Sequence, residues 1–295
     1  MRTKAFTLLT LSLLFIGCEA PYVGEPQIDA ESDANVTLHV TGFEIVPFAD
    51  GTSASLVKSR SEQPITDLCS RLTFVVYQGD TKYRSVAQKQ GDKDFGTAAF
   101  SLPQGTYTFA VIGYSGDGAC TVSSLDKISF KDNRVTDTFL YSAELPVTDQ
   151  PSTHDILLSR VVAMVRFMLT DEGFPEDVSQ LKFYYTGGSS TLSALSTFGS
   201  VNSKQTVKFD IVSSQKQFDL YTFPHSESGS LKMTVTALDA SGNTVKERVF
   251  EGVPVRCNAI TKYTGRFFED ISESSDISFG MKADGAWEEG DDIAF

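Results

Sequence analysis

The chain has few of the residues on which most site chemistry depends. Its 295 residues hold three histidines, four cysteines and one tryptophan. His39, His154 and His225 are scattered, and none stands at ligand spacing from a cysteine, so no zinc site is indicated. No cysteine pair has CxxC spacing. P-loop, GxSxG and HExxH signatures are missing, and no paired-carboxylate signature stands out. The chain therefore reads as a non-enzyme that needs no cofactor and no metal. Basic residues are also short, with 25 Lys+Arg against 38 Asp+Glu. Nucleic acid asks for the opposite balance. No apolar run reaches the roughly 20 residues that span a bilayer. Thr153-His154-Asp155 resembles a triad only in order, and a triad is defined by geometry rather than adjacency. Asp291-Asp292 reads as solvated tail.

The first twenty residues, MRTKAFTLLTLSLLFIGCEA, are rich in signal. Arg2 and Lys4 form a short basic head, and Ala5 to Ile16 form an apolar run that suits a secretory leader. Gly17 and Cys18 follow at once. A small residue before cysteine is what a lipoprotein signal peptidase reads, so residues 1–17 are expected to be removed and Cys18 to carry the lipid. Residues 18–34 are polar, acidic and contain Pro and Gly, which reads as a tether. The remainder would then work outside the cytoplasm, held to a membrane surface by acyl chains such as palmitate. That compartment permits disulfides. Cys69, Cys120 and Cys257 remain, an odd number, so one thiol stays free or pairs outside the chain, and a Cys69–Cys120 bridge is open.

Beyond the tether the pattern is that of strands. There are 22 Phe and 10 Tyr, with Thr, Ser and Val common and long helical patterns scarce. Val36, Leu38 and Val40 alternate with Thr37, His39 and Thr41, the period of a half-buried strand. Residues 49–66 are polar and without period, a loop in which Lys58 and Arg60 stand as isolated protease targets. Phe100 and Leu102 lead into Pro103-Gln104-Gly105, and Tyr107, Phe109 and Val111 alternate out of it, which predicts a hairpin. The Pro/Thr/Asp-rich stretch 146–155 predicts a domain boundary, with domains over 35–147 and 150–270. Residues 156–170 are an apolar run that favours a strand at its end, and 188–203 read as a crossing loop. Residues 231–255 read as a hairpin turning at Asp239 to Asn243. The acidic tail 271–295 carries Ile277, Phe279, Met281 and Trp287 at intervals; it suits a strand that needs a partner or a disordered end.

Four phrases in order, DLCSRLTFVVYQGD, DFGTAAFSLPQGTYTFAVIGYSG, LLSRVVAMVRFMLTD and LDASGNTVKERVFEGVPVRCNAITKYTGRFF, follow the leader. Together they resemble the fimbrillin superfamily of type V fimbriae, closest to its lipid-anchored anchor or minor-subunit branch. The resemblance spans roughly residues 30–270. It implies an all-β fold of two tandem transthyretin-like β-sandwiches. It also implies a precursor delivered to the outer membrane as a lipoprotein. In polymerising subunits a protease cuts in the loop after the first strand, here at Lys58 or Arg60, and the lipidated end and that strand are lost. A C-terminal segment of the next subunit, here 271–295 with Ile277, Phe279, Met281 and Trp287, then fills the groove. The implied partners are other fimbrial subunits, by strand exchange, and the outer membrane, through the lipid. Anchor subunits keep the lipid and stay at the base. The alternative is a surface glycan-binding lipoprotein built from similar sandwiches.

Overall fold

The structure is a computed structural model that describes residues 34–45, 59–60, 64–268 and 288–294. The fold is all-β. The first half contains β1 (Val36–Ile45), β2 (Ser59–Arg60), β3 (Arg71–Gln78), β4 (Thr81–Lys89), β5 (Thr97–Phe100), β6 (Gly105–Tyr114), β7 (Thr121–Ser124), β8 (Lys127–Ser129), β9 (Thr138–Val147) and β10 (Ser152–Arg160). A four-residue helix, Ile65–Leu68, precedes β3. The main sheet runs β2-β1-β10-β9-β6-β3-β4, with β5 beside β2 on the edge of β1 away from β10. It curls around a core of Val36, Leu38, Phe74, Val76, Phe109, Val111, Ile156 and Leu158.

The second half contains β11 (Ala163–Leu169), β12 (Gln180–Thr186), β13 (Thr191–Leu192), β14 (Gln205–Asp210), β15 (Gln217–Thr222), β16 (Ser228–Leu238), β17 (Thr244–Arg256), β18 (Ala259–Gly265) and β19 (Glu288–Ala294). One sheet has the order β15-β11-β18-β19 and the other β14-β12-β16-β17. Between them lies a core in which Phe183 meets Phe167 and Phe218 at ring-centroid distances of 5.5 and 5.7 Å. The predicted 231–255 hairpin is present as β16 and β17. Its turn is closed by Asp239, whose carboxylate accepts from the Ser241 and Asn243 amides at 2.8 Å. Hydrogen bonds from Asn243 hold that carboxyl below its usual pKa.

A third core joins the halves. Strands β3 and β6 are buried on both faces, so their alternate side chains serve different cores. Leu72, Phe74 and Val76 point into the first core, while Val75 and Tyr77 point away from it. This outer set packs with Ile112, Tyr114 and Ile128 of the first half and with Val161, Val162, Leu192 and Phe223. A small sheet, β13-β8-β7, is likewise shared by the two halves.

Three expectations need correction. The run 156–170 is two strands in different sheets, because its partners differ: β10 pairs in parallel with β1, and β11 pairs with β15 and β18. The expected boundary at 147–150 is only the connection from β9 to β10, and the first sheet continues to Arg160. The chain passes between the sheets at Val161-Val162. The stretch 188–203 is a crossing loop only in part, since Thr191–Leu192 form β13 and its first half is buried. Ser189 through Ala194 are buried, and the polar groups are satisfied locally: the Ser189 hydroxyl donates to the Thr191 carbonyl at 2.7 Å. Gly188 and Gly199 admit no side chain there, since an added Cβ would lie 2.1 Å from Thr222 and 2.4 Å from Ser189.

The open Cys69–Cys120 bridge is not formed. Cys69 and Cys120 are both free thiols. Cys69 lies in the first core and Cys120 in the third, on opposite sides of the central sheet. Burial pushes both thiols up in pKa, which keeps them protonated and unreactive.

Candidate assembly site

The sequence-marked features converge on the first strand and its surroundings. Val36, Leu38, Val40 and Phe43 of β1 are almost fully buried, at 1%, 0%, 1% and 3% exposure. The apolar positions change parity after Val40, and the backbone accommodates this with a bulge. Val40 pairs with Ile156 and Gly42 with Leu157, so Thr41 is the extra residue. Phe43 then turns inward against Phe139, ring centroids 4.4 Å apart. Thr41 donates to the Ile156 carbonyl at 3.2 Å, and the Ser159 hydroxyl donates to the Glu44 carboxylate.

Both edges of β1 are paired. On one side it runs parallel to β10; on the other it is antiparallel to β5 over residues 36–39 and to β2 over residues 44–45. Arg60 pairs there with Glu44. The candidate cut at Arg60 therefore sits beside the end of the strand that it would release. Lys58 lies outside the described residues, as do Gly17 and Cys18. The helix Ile65–Leu68 ends the expected loop early, with Ile65 and Leu68 packed against the first core.

Asn35 is an anchoring position that the strand pattern did not single out. Its side-chain amide donates to the Leu102 carbonyl at 2.8 Å and the Thr148 carbonyl at 3.0 Å, and its oxygen accepts from the Leu102 amide at 2.9 Å. Its main chain bonds to Phe100 and Ser152. Asn35 thus pins the entry of β1 to three segments. An Asn before an alternating run was the available signal, and its long-range partners were not. Asn35→Ala is expected to cost roughly 1–3 kcal/mol by leaving amide partners unpaired. It should also speed hydrogen exchange at the start of β1 before the rest of the sheet; unchanged exchange there would refute the clamp.

Thr153, His154 and Asp155 do not converge. Successive residues of β10 point to opposite faces. His154 Nε2 lies 3.3 Å from the Ser152 hydroxyl, while Asp155 faces His39 across the ladder at 3.0 Å in an exposed pair.

At the other end of the chain β19 lies parallel to β18, with Ala259 opposite Glu288 and Tyr263 opposite Ile293. Part of the expected donor segment is thus a strand on the chain's own second sheet. Ile277, Phe279, Met281 and Trp287 lie outside the described residues. Among the described residues no helix is long and apolar enough to cross a membrane.

A family described as being of unknown function, DUF6562, matches residues 31–294. The chain belongs to that family. No curated protein matches it. Among solved structures, this DUF6562 chain is similar to a protein of Bacteroides ovatus ATCC 8483 provisionally labelled an adhesin. They share 14% identity over 72% of this chain and 82% of that one, with a TM-score of 0.44. It is also similar to a protein of Bacteroides thetaiotaomicron VPI-5482 provisionally labelled polysaccharide-binding, at 14% identity over 61% and 72%, TM-score 0.41. A third is a cell adhesion protein, again provisionally so labelled, of Bacteroides fragilis NCTC 9343, at 11% identity over 78% and 92%, TM-score 0.40. In the DUF6562 chain the matched region takes in β1, both sandwiches and all of β19.

Proposed function

We propose that this protein is a lipid-anchored structural component of fimbriae, an anchor or minor subunit. It assembles by β-strand donation and attaches the fimbria to the outer membrane through Cys18. One observation carries the reading. β1 is an N-terminal strand fully embedded between two neighbours, with four apolar side chains in the core, and a basic cut candidate, Arg60, lies beside its end. Such a strand is removable in one cut. Its loss exposes two rows of main-chain groups and an apolar groove, and both demand a replacement strand.

The test is a denaturing gel of outer-membrane extract, heated and unheated, probed for this chain. A high-mass ladder that collapses to one band on boiling is expected, because a whole ladder of hydrogen bonds must break together. Deleting 271–295 should abolish the ladder. The mass of the collapsed band separates an anchor that keeps Cys18 from a subunit cut near Arg60. A monomer band in both lanes would overturn the proposal.

A further inference from the structure

A cleft of about 150 Å³ opens between the β6–β7 connection and the β8–β9 connection. One wall is residues 114–118 and the other is Phe130, Lys131, Asp132, Arg134 and Thr136. The walls are fixed from behind. Arg71 donates to the Gly116 carbonyl at 2.7 Å, and the Tyr114 hydroxyl donates to the Gly118 carbonyl at 3.1 Å and accepts from the Cys120 amide at 2.7 Å. Burial pushes the Tyr114 hydroxyl up to about 12, with the Cys120 amide bond pulling the other way. The ring of Tyr114 meets Phe130 edge-on at 5.2 Å. The cleft is therefore built before any ligand arrives.

Asp132 and Asn133 adopt left-handed backbone, at φ 56° and 54°, in a tight turn closed by the Arg134 amide on the Lys131 carbonyl at 3.1 Å, which holds Lys131 and Arg134 at the cleft. Two features of this cleft have no role in the fold. The Thr136 hydroxyl is buried with no hydrogen-bond partner. Lys131, Arg134, Asp117 and Asp132 are exposed, and their side chains make no ion pair or hydrogen bond among the described residues. Unengaged donors and acceptors of both signs around an apolar floor suit a small ligand that carries a carboxylate and several hydroxyls.

We propose that this cleft binds an acidic sugar unit of a glycan. The carboxylate is taken by Lys131 and Arg134, and the ring hydroxyls by Asp117, Asp132 and Thr136. This is an adhesive site on the first half, independent of β1 and of the C-terminal strand. Two cations on one wall of the cleft favour a carboxylate over a neutral sugar. Two carboxylates and a free hydroxyl disfavour a simple inorganic anion.

The experiment is calorimetric titration of the full chain with glucuronate, glucose and acetate as probes. Glucuronate should bind, and glucose and acetate should bind about tenfold more weakly or worse. The pair Lys131→Ala and Arg134→Ala, both on exposed side chains, should weaken glucuronate by about tenfold or more, a change of about 1.4 kcal/mol. Thr136→Val should weaken binding while leaving thermal stability unchanged or raised, because it removes an unpartnered buried hydroxyl. A merely structural threonine would lose stability instead. Equal binding of acetate would reduce the cleft to a plain anion patch and overturn the assignment. So would glucuronate binding that is absent or insensitive to the double variant.

Discussion

Replacing Asp137 by Ala should destabilise the protein by about 3–5 kcal/mol, the range seen when one partner of a buried ion pair is removed. The Arg160 side chain is 4% exposed and that of Asp137 18%. Two parallel bonds join them, from Nε at 2.7 Å and from an outer nitrogen at 2.8 Å. The guanidinium also lies 4.6 Å from the centre of the Phe139 ring and donates to the Asn258 side chain at 3.3 Å. Arg160 is the last residue of β10, at the point where the chain leaves the first sheet for the second. Asn258 reaches the same joint from the second half, its amide bonded to the Val162 carbonyl at 2.8 Å. Removing the carboxylate leaves a cation desolvated at the seam between both halves. Replacing both partners with apolar residues, Asp137→Leu with Arg160→Met, should recover most of the loss, because the cost arises from the stranded charge. Urea unfolding of Asp137→Ala and of the double variant would measure this. A loss under about 1 kcal/mol in Asp137→Ala would show that water reaches the guanidinium and would refute the buried clamp.

The joint at Arg160 also marks where sequence reasoning stopped being sufficient. Strands whose neighbours are adjacent in the chain were legible. The hairpin β16–β17 announced itself through alternation at Met233, Val235 and Ala237 and a polar turn, and its ladder pairs those same residues with Phe250, Arg248 and Lys246. Alternation likewise placed β1 and β6. Misplaced features depend on distant partners. Residues 156–170 look like one run because apolar content continues through Val161-Val162. Only the parallel pairings, β10 with β1 and β11 with β18, divide it. The Pro/Thr/Asp cluster at 146–151 has linker composition yet joins two strands of one sheet. The Ser/Thr/Gly stretch 188–203 has loop composition, yet its Ser189 to Ala194 are buried, because Leu192 and Thr191 pair with Ile128 and Ser129 of the first half. Asn35 is missed for the same reason. The cleft at residues 114–136 gives no local signal, since its walls come from two separate turns. The leader, Cys18, Lys58 and the four apolar tail positions rest on the sequence alone.

Removing β1 should unfold the first sandwich while sparing the second. The four buried side chains of β1 contribute about 1.5–3 kcal/mol each, so roughly 6–12 kcal/mol of burial goes with the strand. That is comparable to the whole stability of an ordinary domain, about 5–15 kcal/mol. The second core contains no residue of β1 and keeps its contacts. A chain that starts at residue 61 should therefore lose hydrogen-exchange protection in β3, β6 and β9 and retain it in β12 and β16. A peptide of residues 34–48 added in trans should restore protection, and one with Leu38 and Val40 replaced by Asp should not. The groove asks for apolar side chains at every second position, and Ile277, Phe279 and Met281 have the same spacing as Val36, Leu38 and Val40. A peptide of residues 275–283 should thus substitute in part for β1, while one with Phe279 replaced by Asp should fail. Full protection in the shortened chain without any peptide would show that β1 is dispensable, and strand donation would lose its physical basis. Rescue by the β1 peptide but not by the tail peptide would keep the groove and assign its natural occupant to a different subunit's sequence.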